Sequence, residues 1–161
     1  MSEIKRDEVL NYRPGPDSEL PLEEGEMVEA VFLPDRDRYW KDHAILGLIG
    51  SALVAVVLLF MEQPGQIAIA TIAILIGMGL RGLYFRSEVF ARRWQLTDRR
   101  LIGPQGRQAM LLEITTVRRL MGDVQIVTKS GAKHLIRHLA DSAGVVAQIE
   151  AARRARARTA E

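Results

Sequence analysis

Residues 44–61 read AILGLIGSALVAVVLLFM, residues 67–80 read IAIATIAILIGMGL, and the polar residues 62–66 (EQPGQ) separate the two runs. The first run carries no charge, and the second reaches a similar length when it continues past Arg81 to Tyr84. An apolar helix of about 20 residues can cross a hydrocarbon core of about 30 Å. A lone arginine near a helix end can extend to the headgroups, so Arg81 is compatible with a boundary there. The stretch predicts a transmembrane helical hairpin over 44–85, with spans at 44–61 and 67–84.

Two alternatives to membrane spans fit the sequence less well. A helix in a soluble core normally has a polar stripe with a period of 3.6 residues, and residues 45–61 have none. A cleaved signal peptide is not expected, because 43 residues precede the first run and no small-residue cleavage site follows it.

The positive charges beside the two runs predict an orientation. The turn at 62–66 contains no lysine or arginine, whereas the outer flanks contain Arg36, Arg38 and Lys41 before the first run, and Arg81, Arg86, Arg92 and Arg93 after the second. Cytoplasmic flanks of membrane helices collect lysine and arginine. We therefore expect a multi-pass protein of the bacterial inner membrane with both termini in the cytoplasm.

Small residues recur at a spacing of about four along each run and define a predicted helix-packing face. Its members are Gly47, Ser51 and Ala55 in the first run, and Ala73 and Gly77 in the second. Small residues allow helix backbones to approach closely within a membrane. The face either joins the two helices of the hairpin, which is the preferred interpretation, or docks another membrane protein.

The formal net charge of +2 conceals a strong asymmetry. Residues 1–43 hold twelve acidic and six basic side chains, whereas residues 85–161 hold fifteen basic and seven acidic ones. The division predicts an acidic cytoplasmic N-terminal arm over 1–43 and a basic cytoplasmic domain over 86–158. The acidic run at 19–29 either lies on the basic domain or solvates the arm, and solvation is the preferred interpretation. The absence of cysteine excludes disulfides and thiolate chemistry.

Short β-rich segments with polar turns flank the hairpin. Residues 27–33 (MVEAVFL) predict a short strand in the arm, and 89–96 (VFARRWQL) and 124–128 (VQIVT) predict strands after the hairpin. A helix is expected to begin at Asp141 or Ser142, with an apolar face formed by Val145, Val146, Ile149 and Ala152. The segments predict a small antiparallel meander that curls toward a barrel and is followed by one helix.

The order of these segments resembles the membrane-anchored bacterial pleckstrin-homology (PH-like) domain family. The similarity lies in residues 94–102 (WQLTDRRLI), in 112–114 (LEI) with Val117, in 122–131 (GDVQIVTKSG), and in Gly25-Glu26 with Val28 ahead of the hairpin. It implies a membrane α+β fold in which a two-helix transmembrane hairpin is followed by a small antiparallel PH-like β-barrel closed by a C-terminal helix. It implies no catalytic residues.

No pattern for catalysis, cofactor binding or nucleic-acid binding is found in the sequence. His134 and His138 are four residues apart but lack the glutamate of an H-E-x-x-H motif, and a metal site needs three or four converging ligands. After Trp94 the basic domain has no aromatic residue on which a nucleic-acid base could stack. We expect a non-enzymatic protein with no metal, cofactor, nucleic acid or small-molecule substrate.

Two functional hypotheses remain. The resemblance favours an accessory subunit or an assembly or scaffold factor of a larger membrane protein complex, of respiratory or photosynthetic type, with an integral membrane protein as partner. The alternative is a sensor or organiser of anionic membrane lipids, since each basic residue near such a surface contributes about 1 kcal/mol. The residues predicted to contact a lipid headgroup or an acidic partner are Arg86, Arg92, Arg93, Arg99, Arg100 and Arg107.

Overall fold

The computed structural model describes residues 19–160 as two long helices, two small antiparallel sheets and a C-terminal helix. Residues 1–18 of the predicted arm lie outside the described residues. In chain order the elements are β1 (Val28–Phe32), α1 (Arg36–Phe60), α2 (Ile67–Ala91), β2 (Trp94–Thr97), β3 (Arg100–Ile102), β4 (Gln108–Met110), β5 (Ile114–Leu120), β6 (Asp123–Thr128), β7 (Lys133–Ile136) and α3 (Ser142–Thr159). Single 3₁₀ turns occupy Pro64–Gln66 and Leu111–Glu113.

Helices α1 and α2 form an antiparallel hairpin that contains both predicted spans and extends beyond them. The side chain of Asp35 caps α1 by accepting a hydrogen bond of 2.8 Å from the backbone N–H of Arg38. Helix α2 continues to Ala91, because no glycine or proline follows Gly82 before it ends, and Arg92 then turns to an extended conformation. The predicted strand at 89–96 is therefore wrong in its first half, since Val89 to Ala91 belong to the helix.

Both helices are long and apolar enough to cross a membrane, by length and composition. Their most apolar windows are only 11% and 6% buried within the structure, so most of their side chains face outward. In the core helix of a soluble protein most of the window would be covered by the rest of the chain. The predicted succession of a hairpin, a small β domain and a C-terminal helix is confirmed.

The seven strands form two sheets, with the orders β1-β2-β3-β4 and β5-β6-β7. Strand β1, which precedes the hairpin, pairs antiparallel with β2, which follows it, so that Phe32 lies opposite Trp94. The β domain is thus assembled from both sides of the hairpin. Among the strands of residues 19–160 none joins the two sheets, and the predicted barrel is not closed.

The core of the β domain lies between the sheets and α3. Leu101, Ile126 and Ile149 are fully buried there, and Ile149 is on the helical face predicted from the sequence. The predicted cap of α3 is confirmed, since the Asp141 side chain accepts a hydrogen bond from the N–H of Gly144. Helix α3 packs against β5, β6 and the 3₁₀ turn at Leu111–Glu113.

Replacement of Gly103 by alanine is expected to destabilise the β domain. A Cβ atom at this position would lie 2.5 Å from the Trp94 ring, closer than packed carbon atoms approach. Overpacking of this kind costs about 1–3 kcal/mol. Calorimetric unfolding of the purified protein in detergent should show a lower midpoint for Gly103→Ala. Gly65→Ala is the matched control, because a Cβ there meets nothing within 4 Å. Equal midpoints for the two variants would contradict this packing.

Candidate functional site: a basic cleft between the hairpin and the β domain

The start of α1 is fixed directly to the β domain. The backbone N–H of Asp35 donates to the carbonyl of His138 over 2.7 Å, and the Arg38 guanidinium donates to the carbonyl of Met121. The His138 ring lies 2.9 Å from the Asp42 carboxylate through Nδ1, and Asp42 also pairs with Arg38. Helix and domain are therefore joined by side-chain and backbone bonds at several points, rather than by a flexible linker.

The first turn of α1, which contacts the β domain, is also held against α2. The hydroxyl of Tyr39, which is 1% exposed, donates to the carbonyl of Gly82 over 2.8 Å. The glycine is required, since a Cβ at position 82 would lie 2.7 Å from the ring of Trp40. The two helices are therefore held together at the end of the hairpin where α1 meets the β domain.

Residues 19–26 of the acidic arm lie on the basic domain. Glu19 pairs with Arg93 at 2.6 Å and Glu23 with Arg99 at 3.3 Å, while Glu26 pairs with Arg100. The structure thus corresponds to the first of the two interpretations of the acidic run, contact with the domain, and not to simple solvation. Residues 19–26 neutralise one part of the basic surface.

The Glu26–Arg100 pair is buried and bidentate. The Glu26 side chain is 0% exposed, and its two carboxylate oxygens accept from Nε and Nη2 of Arg100 over 3.0 and 2.9 Å. Thr97 and the backbone N–H of Glu23 donate to the same carboxylate. The hydrogen bonds from Arg100 lower the pKa of Glu26 from 4.5 to about 2, although burial opposes the shift. This pair attaches the arm to β2 and β3.

The six predicted contact arginines fall into separate groups. Arg93, Arg99 and Arg100 are occupied by arm carboxylates, and Arg100 is almost fully buried. Arg86 is exposed on α2, and Arg107 is exposed in the loop between β3 and β4. Arg92, the residue that follows α2, pairs with Glu88 of that helix. The structure does not bring the six together into one surface.

Two adjoining cavities lie where the hairpin meets the β domain. One has a volume of about 290 Å³ and the other of about 320 Å³. They share the lining residues Val89, Arg92, Arg137 and His138. We refer to the two together as the basic cleft.

Positive charge predominates in the basic cleft. Its lining includes the four arginines 81, 92, 107 and 137, against the two carboxylates of Asp42 and Glu88. Asp42 is engaged by Arg38 and His138, and Glu88 by Arg92. None of the ion pairs within residues 19–160 involves Arg81, Arg107 or Arg137. The cleft therefore offers guanidinium groups that have no carboxylate of the described chain as partner.

Of the residues that line the basic cleft, Arg92 and Arg107 are among the contact residues predicted from the sequence, whereas Arg137, His43 and His138 are not. Arg137 is the residue after β7, and Arg81 lies on α2. Both residues line the same cavity, because the hairpin base lies beside the end of β7. No local motif marks that proximity.

The predicted packing face is divided by the structure. Gly47 is buried against Leu75 and Met78 of α2, and Ser51 is buried as well, donating to the carbonyl of Gly47. Ala55 is half-buried, whereas Ala73 is exposed, and a Cβ at Gly77 would meet nothing within 4 Å. The contact between the helices uses Gly82 on α2 in place of Gly77.

The two histidines that are four residues apart have different surroundings. The His134 ring lies edge-on to Trp94, and burial lowers its pKa, with the charge of Arg107 acting in the same direction. His138 faces Asp42 instead. Within residues 19–160 no three histidine or acidic side chains are grouped as metal ligands would be.

Comparison with family models, curated proteins and solved structures finds no match to this chain. The resemblance to PH-like domains therefore stays a prediction from the sequence.

The Glu26–Arg100 pair predicts a pH dependence of stability. A lowered pKa means that the carboxylate stabilises the fold fully above pH 4.5, and that this contribution is lost as the pH falls toward 2. Glu26→Gln is expected to cost about 3 kcal/mol at neutral pH, because it removes the carboxylate that accepts two hydrogen bonds from the buried Arg100 and leaves that charge opposite the more distant Glu23, at 3.7 Å. Chemical unfolding in detergent, followed by tryptophan fluorescence, measures both effects.

Glu150→Gln is the control, since Glu150 pairs with Arg153 on α3, away from Arg100, and partly exposed pairs of this kind contribute less than about 1 kcal/mol. The acid-dependent loss between pH 4.5 and 2 should be smaller in Glu26→Gln than in the wild type. An unchanged pH profile in Glu26→Gln would contradict the assignment.

Proposed function

We propose that this chain is a non-enzymatic integral protein of the bacterial inner membrane that acts as an accessory subunit, or as an assembly or scaffold factor, of a larger membrane complex. Its hairpin spans the membrane, both termini are cytoplasmic, and a PH-like domain is held at the cytoplasmic surface. The observation that carries the proposal is the direct attachment of the β domain to a hairpin whose apolar side chains face outward.

The outward-facing side chains support a membrane location. Exposed leucine, isoleucine, valine and phenylalanine side chains extend along both helices, for example Leu53, Phe60 and Ile69. A patch of this size is unstable in water and needs lipid or other helices to cover it. The orientation is supported by charge, since the turn contains Glu62 but no lysine or arginine, while arginines surround the hairpin base.

The fixed attachment of the β domain to the hairpin supports a role in which the domain presents a surface to a partner protein. A β domain bonded to its anchor through Asp35, Arg38 and Asp42 has one orientation relative to the membrane plane. That arrangement suits a subunit that docks against a membrane-embedded partner, since less orientational freedom is lost on binding. The part of the small-residue face that the hairpin leaves open, at Ala73 and Gly77, is the proposed contact with the partner helix.

The orientation is tested with single cysteines, because the chain has none of its own. In intact cells whose outer membrane is permeabilised, an impermeant maleimide should label Gly65→Cys in the turn. It should label Lys129→Cys, in the exposed turn after β6, only after the inner membrane is opened. Labelling of Lys129→Cys in intact cells, with protection of Gly65→Cys, would reverse the proposed topology.

The role in a complex is tested by purifying the tagged chain from native membranes in mild detergent. We expect integral membrane subunits to co-purify at a fixed stoichiometry. Gly77→Leu should lower their recovery severalfold, because a Cβ at this position meets no atom of the described chain within 4 Å, while the larger side chain would separate a partner helix. Ile76→Leu, a swap of equal volume at the neighbouring position, is the control. Purification of the wild-type chain alone would reject the proposed role.

A further inference from the structure

We propose that the turn between β5 and β6 is a second membrane contact, in which Leu120 and Met121 enter the lipid headgroup layer beside the hairpin. We call these two residues the apolar tip. The inference rests on the membrane insertion in the proposed function, but it concerns a different surface from the partner contact at Ala73 and Gly77. The contact requires no anionic lipid, since it is made by uncharged side chains.

The apolar tip is highly exposed for its chemistry. Met121 is 91% exposed, the highest value among the large apolar side chains of residues 19–160, and Leu120 is 41% exposed. Single exposed apolar side chains are common on protein surfaces, so exposure alone does not identify a contact. The apolar tip is distinguished by its backbone conformation and by its position beside α1.

The conformation of the turn gives no reason for a methionine at this position. Leu120 pairs with Asp123, so Met121 and Gly122 form a two-residue turn, with positive φ values of 52° and 92°. Positive φ at both central positions is typical of a type I′ turn, which favours asparagine, aspartate or glycine. The Met121 side chain opposes this backbone preference, and its exposure shows that it is not packed against the described chain.

The apolar tip lies at the end of the second sheet that faces the hairpin. The Met121 carbonyl accepts a hydrogen bond from the Arg38 guanidinium, which also pairs with Asp42 at 3.1 Å. Close to the end of the neighbouring strand β7, the His138 ring bonds to Asp42 as well. The tip is therefore held beside the first two turns of α1.

The geometry of α1 places this contact at the membrane surface. A rise of about 1.5 Å per residue puts Arg38 about 9 Å and Asp42 about 3 Å before Ala44, where the first predicted span begins. The headgroup layer on each side of a bilayer is about 5–8 Å thick. The Arg38 guanidinium, which pairs with Asp42, and the Met121 carbonyl bonded to it therefore lie within this layer.

Helix α2 gives the same level. Its predicted span continues to the exposed Tyr84, two residues past Gly82. The Tyr39 hydroxyl donates to the Gly82 carbonyl, so lipid that covers α2 as far as Tyr84 reaches the level of Tyr39. Tyr39 is the residue after Arg38, which holds Met121. Lipid at this level would meet the apolar tip.

Met27 offers an internal comparison within the same chain. It is 69% exposed, but it lies at the end of β1 that is distant from α1, and the five residues of β1 extend over roughly 17 Å. In water, the more exposed Met121 would be oxidised at least as fast as Met27. In a bilayer, we expect the opposite order.

The first test measures methionine oxidation in the wild-type chain reconstituted in phosphatidylcholine nanodiscs. Chloramine-T, a charged oxidant that stays in water, converts accessible methionine to its sulfoxide, and mass spectrometry of peptides gives the rate at each position. We expect Met121 to be oxidised severalfold more slowly than Met27. Oxidation of Met121 at least as fast as that of Met27 would overturn the inference.

The second test identifies the covering group as lipid. Met121→Cys and Lys129→Cys each introduce a single cysteine for an environment-sensitive fluorophore, and Lys129 is exposed at the opposite end of β6. With nitroxide-labelled phosphatidylcholine in the nanodisc, the fluorophore at position 121 should be quenched several times more strongly than the one at position 129. Equal quenching at the two positions would also reject the contact.

Extraction of membranes with alkaline carbonate separates this failure from that of the proposed function. A chain that stays in the membrane but shows no protection of Met121 rejects the apolar tip alone. A chain that carbonate removes rejects membrane insertion, and with it the contact of the tip.

Discussion

The pairing of β1 with β2 is the constraint on which the rest of the structure depends. The two strands lie side by side, but residues 33–93 separate them in the chain, and almost all of that interval is the hairpin. Closing so long a loop costs entropy, which the contacts around it must offset. The Glu26–Arg100 pair lies just before β1 and holds the arm to β3, and the bonds from Asp35 and Arg38 lie just after β1. Strand β1 is therefore held on both sides, and the hairpin must form for the sheet to be complete.

Much of the fold could be predicted from the sequence, because its elements are specified locally. Two uncharged runs with a short polar turn define the hairpin, and Asp141 with the apolar spacing to Ile149 defines α3. The end of α2 was predicted poorly, since Val89 and Phe90 have high strand propensity, yet they continue a helix that already exists. The separation into two sheets also escaped prediction, because strand pairing depends on contacts distant in sequence.

The candidate site was harder to predict than the fold. Arginines are numerous throughout the second half of the chain, and the sequence does not show which of them face carboxylates. Arg100 and Arg107 look equivalent in the sequence, but one is buried against Glu26 and the other is exposed in a loop. The difference is made by residues 19–26, more than seventy positions away from Arg100 in the chain. Which charged side chains are buried depends on tertiary contacts, whereas the composition gives only the total number of charged residues.

The absence of a flexible joint between α1 and the β domain has a mechanical consequence. Helix α1 begins four residues after β1 and is bonded to His138 and Met121 within its first two turns. In a bilayer, helices tilt when the hydrocarbon thickness does not match their apolar length. A change in the tilt of this hairpin would rotate the β domain through the same angle, because the two are bonded directly to each other. Under the proposed membrane topology, the thickness of the bilayer would then set the angle between the β domain and the lipid surface.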